Sequence, residues 1–287
     1  MQHRRIGDMR VSAIGLGEMP LSIEGRPDDR DRSIATIHAA LEAGVTLIDT
    51  ADAYSLGGEE HGHGETLVAE ALASYGGDTS SVLIATKGGH RRPGDGSWTV
   101  HGSPDYLKQA CEESLRRLGV EALGLYQFHR PDPEVPYADS VGALKELYDA
   151  GKIRFAGISN ASLAQIDTAH GILGGALVSV QNQFSPSFRS SLPELRRSAE
   201  LGLTFLPWSP LGGIRTAPDL GTTARAFQQA ADVRGISPHQ VALAWELAQA
   251  PVVIPIPGSS RPETIRDSAL AADLTLTDGE IATLDAA

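Results

Sequence analysis

The sequence predicts an α/β fold, a (β/α)8 TIM barrel with an N-terminal β-hairpin, on three observations. Eight short apolar runs recur along the 287 residues, amphipathic helical segments alternate with them, and neither a low-complexity linker nor a composition shift divides the chain. Residues 1–287 therefore read as one barrel domain. At 41% hydrophobic and 21% charged residues, the chain has material for a large core, and disordered and fibrous classes are excluded.

The elements follow in order. A hairpin is expected over Arg5–Val11, and strands near 13–16, 45–49, 82–87, 123–128, 154–158, 177–181, 203–207 and 252–256. Helices are expected near 31–43, 64–74, 104–117, 137–150, 162–170, 191–200, 223–248 (broken around Gly235) and 262–271. Ser103-Pro104 and Ser237-Pro238 each place a cap before a proline at the first helical position, and Arg261-Pro262-Glu263 opens the last barrel helix. Gly44, Gly119, Gly151 and Gly202 stand where helices should stop. The stretch Gly88–Gly102 is too long for a simple strand-helix connection and reads as a substrate loop, with Trp98 as an apolar wall and His90 or Arg91 available to an anionic group. A short capped helix near Thr277–Glu280 leaves little tail to fold over the barrel mouth.

Composition narrows the function. A net charge of −12 disfavours nucleic acid or an anionic membrane as partner, and no apolar run is long enough to span a bilayer. The N-terminus lacks a signal-peptide core, so a cytoplasmic protein is expected. Cys111 is the single cysteine and sits in a helical pattern as a small core residue. Residues 59–65, Glu-Glu-His-Gly-His-Gly-Glu, superficially resemble a metal site, but the spacing is poor and Glu65 suits a first-turn carboxylate. No metal is expected.

Four polar side chains, Asp49, Tyr54, Lys87 and His129, lie at or just past the ends of three of the apolar runs. Singly, they could be a helix cap, a rim aromatic, a surface cation and a core histidine; together they suit carbonyl reduction. A hydride arriving at a carbonyl carbon needs a proton at the oxygen, and a phenol near its reference pKa of about 10 is a sluggish acid. A neighbouring ammonium should lower that pKa, and a carboxylate should keep the ammonium charged and fixed. Tyr54 then donates the proton, Lys87 activates it, Asp49 anchors Lys87, and His129 orients the substrate oxygen.

These residues match a family. The segment Ile48-Asp49-Thr50-Ala51-Asp52-Ala53-Tyr54 resembles the aldo-keto reductase signature, with Lys87 and His129 where that family's remaining catalytic residues lie. The resemblance continues through Gly157–Asn160, Gln181-Asn182, Trp208–Gly212 and Ile256–Ser259, nearly the whole chain. It implies a nicotinamide cofactor extended across the barrel mouth. Ser159, Asn160 and Gln181 would bind the carboxamide, Trp208 would stack on the ring where the family more often has tyrosine, and Ser209, Leu211 and Gly213 would line the pyrophosphate path. Gly258, Ser259, Ser260, Arg261, Arg266 and Ser268 would complete the cofactor site. No Gly-x-Gly-x-x-Gly motif is present, which disfavours a Rossmann domain.

Arg261 and Arg266 near the last barrel helix favour a ribose 2′-phosphate, hence NADPH (NADP+). Thr264 stands where the family commonly has arginine and Ser268 where it often has asparagine, so NADH use stays open. The segment 94–98 and the compact connection after Gly213 are similar to a bacterial subgroup that includes pyridoxal reductases, making pyridoxal one candidate substrate beside other aromatic or small aldehydes. The expectation is a monomer acting on a small-molecule carbonyl. The alternatives are an NADPH-binding redox-sensing partner with little turnover, as resemblance to potassium-channel β-subunits permits, and a metal-dependent sugar isomerase on the same barrel.

Overall fold

Parallel strands arranged edge to edge carry the molecule. The computed structural model describes residues 1–287, the Glu59 side chain excepted. An antiparallel hairpin of β1 (His3–Ile6) and β2 (Met9–Ser12) comes first, longer at both ends than the sequence suggests. The parallel sheet then runs through β3 (Leu16–Gly17), β4 (Leu47–Asp49), β5 (Leu83–Gly88), β8 (Leu123–Phe128), β9 (Ile153–Ser159), β10 (Leu177–Gln181) and β11 (Thr204–Phe205). Between β5 and β8, β6 (His90–Arg91) and β7 (Thr99–Val100) pair antiparallel, so the long loop is itself a small hairpin.

The eighth strand, expected over 252–256, does not form as a continuous ladder. Pro255 and Pro257 have no N–H to donate. Closure instead uses main-chain bonds from Ile254 N to the Phe205 carbonyl, and from Gly15 N and Gly17 N to the carbonyls of Pro255 and Pro257, each 2.9 Å. A Cβ on Gly17 would lie 2.7 Å from the Ile256 carbonyl oxygen, so this seam requires glycine. The first strand is likewise shorter than expected: Ala13 and Ile14 lie outside it, and only Leu16–Gly17 pairs with β4.

Helices cover the outside: α1 (Arg30–Glu42), α2 (His63–Ser74), α3 (Pro104–Leu118), α4 (Tyr137–Asp149), α5 (Leu163–Leu173), α6 (Leu192–Leu201), α7 (Leu220–Thr223), α8 (Arg225–Arg234), α9 (Pro238–Gln249), α10 (Pro262–Leu270) and α11 (Asp278–Asp285). The start signals act as expected. The Ser103 hydroxyl accepts from Tyr106 N and that of Ser237 from Gln240 N, while Ser162 and Thr277 form reciprocal capping boxes with Gln165 and Glu280. Gly119, Gly202 and Gly235 end their helices in the left-handed region, and Gly235 separates α8 from α9.

Alternation along the strands positions the site. Leu47, Leu83, Ala85, Leu125, Phe155, Val178 and Leu206 fill the barrel interior, with Ile6 and Val11 of the hairpin packed in the same cluster. Tyr126, Phe128, Ala156 and Ile158 face the helices. Because side chains alternate with period two, the inward rows that begin with Leu47, Ala85, Leu125 and Phe155 end at Asp49, Lys87, Gln127 and Gly157. The polar centre of the barrel is thus the top of its apolar core.

Candidate active site

Lys87 is fully buried and makes three hydrogen bonds through Nζ: to Asp49 Oδ2 at 2.6 Å, to the Thr50 carbonyl at 2.8 Å and to the Tyr54 hydroxyl at 3.0 Å. An ammonium has three donors, so it is saturated and its direction fixed. Asp49 Oδ1 accepts from Gln181 Nε2 at 2.7 Å and Gln127 Nε2 at 3.2 Å. Burial alone would push the Lys87 ammonium down; Asp49 and Tyr54 outweigh it and raise it above its ordinary value. The site therefore holds a permanent cation beside a phenol.

The phenol itself departs from expectation. Burial pushes the Tyr54 hydroxyl above its ordinary value, Lys87 pulls it back only in part, and Asp49 and Glu18 add to the rise. Lys87 limits the rise without reversing it, because the same low-dielectric setting that strengthens the ion pair penalises phenolate.

His129 follows β8 and is nearly buried, its ring edge-on to Tyr54 at 5.8 Å between centroids. Burial first, then Lys87, His90 and Arg130, hold it well below the usual imidazole range, so it is neutral near pH 7. Its Nδ1 is buried without a partner among the described residues.

Asp49, Tyr54 and His129 floor a cavity of about 620 Å³, with Lys87 behind them. Ser159, Asn160, Gln181, Trp208, Ser209, Leu211, Gly213 and Gly258 all line it, with Trp98 and His90 on another side. Trp208 Nε1 is buried and unpartnered among the described residues. Asn160 and Ser209 adopt φ of 56° and 50°, the left-handed region that non-glycine residues avoid, and such departures gather at ligand sites. Ser159 Oγ donates to the Gln181 carbonyl at 2.8 Å and Asn160 Nδ2 to the His129 carbonyl at 3.0 Å.

Ser259, Ser260, Arg261, Arg266 and Ser268 lie outside this cavity, around the start of α10. Ser259 Oγ donates to the Arg261 carbonyl at 2.8 Å and contacts Thr264 Oγ1. Arg261 is exposed and makes no ion pair among the described residues, whereas Arg266 pairs with Glu42 at 2.9 Å.

The long loop divides its candidates. Trp98 and His90 pack against each other at a tilt, 4.8 Å between ring centroids, and face the cavity. Burial, followed by Arg130 and Lys87, lowers His90 to about 4, so it offers a neutral imidazole and no positive charge. Arg91 lies over the Tyr106 ring, outside the cavity lining. Arg92 turns inward to bond Glu24 and the Ser55 carbonyl and stacks on Trp98. The cation lining the cavity is Arg130, without an ion pair among the described residues. Its position directly after His129 was the available signal.

The histidine-rich stretch separates into different contacts. His63 Nδ1 meets Ser22 Oγ, His61 Nε2 is 3.8 Å from Asp52, and Glu65 binds Arg117 and Thr86. The Glu59 side chain lies outside the described residues. Among the described residues, no three His, Cys, Asp or Glu side chains group to hold a metal. Cys111 is buried, which pushes its thiol up to about 12. No helix is long and apolar enough to cross a membrane.

Comparison with known proteins agrees with this geometry. The description of the aldo/keto reductase family matches residues 13–287. The chain is 36% identical to an uncharacterized oxidoreductase of Schizosaccharomyces pombe, over 98% of this chain and 88% of that one. It is 35% identical to a 6-dehydroglucose reductase of Novosphingobium aromaticivorans, over 91% and 86%. An aldo/keto reductase from Klebsiella pneumoniae, solved with NADP and acetate, superposes with a TM-score of 0.82 at 27% identity, covering 99% of this chain and 94% of its own. The buried Lys87 at the head of the inward rows and the matching extent of these relatives converge: the chain belongs to the aldo/keto reductase family and is an NAD(P)H-dependent oxidoreductase.

Proposed function

We propose that the chain reduces an aldehyde or ketone to the alcohol with NADPH, the Tyr54 hydroxyl donating the proton. The observation that carries this reading is Lys87 Nζ, buried and bonded at once to Asp49 and Tyr54 beneath the cavity. The substrate's carbonyl oxygen takes the Tyr54 Oη proton, leaving a phenolate whose charge faces the Lys87 ammonium 3.0 Å away. His129, neutral, donates a ring N–H to the same oxygen and fixes its distance from Tyr54. Solvent returns the proton to Tyr54 after product leaves.

The cavity wall suits the cofactor. Trp208 brings an unpartnered N–H and an aromatic face, and Asn160 Oδ1 and Gln181 Oε1 make no hydrogen bond among the described residues. Ser159, Asn160 and Gln181 would hold the carboxamide, and Ser209, Leu211 and Gly213 the pyrophosphate. Gly258, Ser259, Ser260 and Ser268 would flank the adenine nucleotide, with Arg261 at the 2′-phosphate; Arg266 would first have to release Glu42. When bound, the reduced nicotinamide supplies the hydride. The Klebsiella relative's NADP supports the assignment.

On the substrate side, Trp98, His90 and Arg130 favour aldehydes with a flat or polar body, and pyridoxal and oxidised sugars are the first to try. We read 1–287 as one catalytic barrel, working as a monomer. The test is NADPH consumption against pyridoxal, benzaldehydes, methylglyoxal, simple ketones and oxidised sugars. Turnover of any supports the reading; tight NADPH binding with negligible oxidation across the panel would favour the redox-sensing alternative.

A further inference from the structure

Glu18, just past β3, is a fully buried carboxyl that the proposed chemistry does not use. Its main-chain N–H donates to the Asp49 carbonyl at 2.8 Å. Its Oε2 accepts from Thr50 Oγ1 at 3.0 Å, and the carbonyl of that same Thr50 accepts from Lys87 Nζ. Glu18 therefore grips, by side chain and main chain, the two consecutive residues that hold Lys87. A Cβ on Gly64 would lie 2.5 Å from Glu18 Oε2 and 2.7 Å from Thr50 Oγ1, so glycine there lets the first turn of α2 close over the carboxyl.

The other oxygen leads to the surface. Oε1 accepts from Ser22 Oγ, which contacts His63 Nδ1 at 2.8 Å, and His63 Nε2 lies 3.3 Å from Arg30 Nη1. Arginine only donates, so Nε2 is the acceptor and the neutral ring carries its proton on Nδ1. Arg30 then donates to His63, His63 to Ser22 and Ser22 to Glu18, while the Thr50 hydroxyl, free to turn, donates to the ionised carboxyl and accepts from the protonated one. From Arg30 to Ser22 each donor points toward Glu18 Oε1, which favours the carboxyl's ionised form. Lys87 is the cation that favours that anion; Asp49, on the same β4, opposes it. Half-buried His63 and exposed Arg30 border a second, outer cavity, which gives the chain its contact with solvent.

We propose that Glu18 is a positioning residue for carbonyl reduction, holding Thr50 beneath Lys87 and passing its own charge state to Tyr54. The idea rests on the reductase reading given above. Burial, opposed by the Ser22 and Thr50 bonds and by Lys87, raises Glu18 to about 7. Its negative charge also raises Tyr54. Below neutrality Glu18 carries the proton and Tyr54 releases its own more readily. As pH rises through neutrality Glu18 ionises, Tyr54 holds its proton more tightly, and reduction slows.

The experiment is a pH profile of kcat for NADPH-dependent reduction in wild type, Glu18→Gln and Ser22→Ala, paired with infrared detection of protonated carboxyl. Wild type is expected to lose several-fold in kcat between about pH 6 and pH 8, while Glu18→Gln, which keeps an acceptor for Thr50, stays within about twofold over that span. Ser22→Ala removes a donor to the anion and should move the limb upward in pH. A carboxyl band that disappears over the same pH range in wild type and is missing from Glu18→Gln identifies the group. A Glu18→Gln profile that overlays wild type, an unmoved limb in Ser22→Ala, or no titrating band near neutrality overturns the proposal. Should Glu18→Gln fail to fold, the Ser22→Ala shift and the wild-type band decide. A wild type that titrates in the infrared but reduces no carbonyl refutes the reductase reading instead.

Discussion

The floor and the rim of the cavity are built by different means. On the floor, Asp49, Lys87 and Gln127 stand on the adjacent strands β4, β5 and β8 and Gln181 on β10 beyond β9, all buried and meeting at Asp49, with every ammonium proton used. On the rim, Trp98 is 38% and Ile214 47% exposed, Arg130 has no ion pair among the described residues, and His90 Nδ1 has no partner. A strand end fixes a side chain because its main chain is hydrogen-bonded on both sides; a loop leaves direction to whatever it meets. Chemistry is therefore expected to be sensitive at the floor and selectivity at the rim, and substitutions can separate the two.

The largest effect should come from Tyr54→Phe, which deletes the proposed proton donor and leaves Lys87 and Asp49 paired. Carbonyl reduction should fall by about a hundred- to ten-thousand-fold, while NADPH affinity by fluorescence titration stays nearly unchanged. A Tyr54→Phe enzyme retaining most of its kcat would dissolve the distinction between floor and rim.

Lys87→Met should damage both rate and stability. It leaves the Asp49 carboxylate buried with only the two glutamine amides, and losing one member of a buried ion pair costs about 3 kcal/mol. Chemical denaturation should show that loss, and the remaining protein should be inactive. An active Lys87→Met variant would remove Lys87 from the mechanism.

Arg261→Ala probes the far end of the proposed cofactor path. NADPH binding should weaken by about ten- to a hundredfold, the range of a charge-assisted hydrogen bond, with NADH barely changed. The ratio of the two dissociation constants is the measurement. Equal losses would pass the role to Arg266, which would then have to give up Glu42.

The smallest and most selective effect belongs to the rim. Trp98→Ala should raise KM for aromatic aldehydes several-fold more than for methylglyoxal, since about 150–250 Å² of aromatic surface is available to a flat substrate and little of it to a small one. Equal shifts would make Trp98 a plug of its own loop, held by His90 and Arg92.

Much of this architecture is legible in the order of the amino acids. The eight repeating units, the caps and the strand-end placement of Asp49, Tyr54, Lys87 and His129 follow from period, turn chemistry and residue type, all local in the chain. Expectation and structure part where two distant segments decide. The last strand reads as apolar and extended, yet Pro255 and Pro257 deny it a ladder, and isolated bridges to β3 and β11 close the barrel. Arg91 looks available on a loop, but the Tyr106 ring claims it.

By itself, then, the sequence determined the class of fold and the chemical identities at the strand ends, because alternation with period two turns a position in the chain into a position in the barrel. Only the tertiary structure decided that Gln127 and Gln181 share one oxygen of Asp49, that burial raises Tyr54 despite Lys87, and that Glu18 lies beneath the site. Those facts depend on how deeply charges are buried and on which strands lie side by side, and a linear pattern records neither.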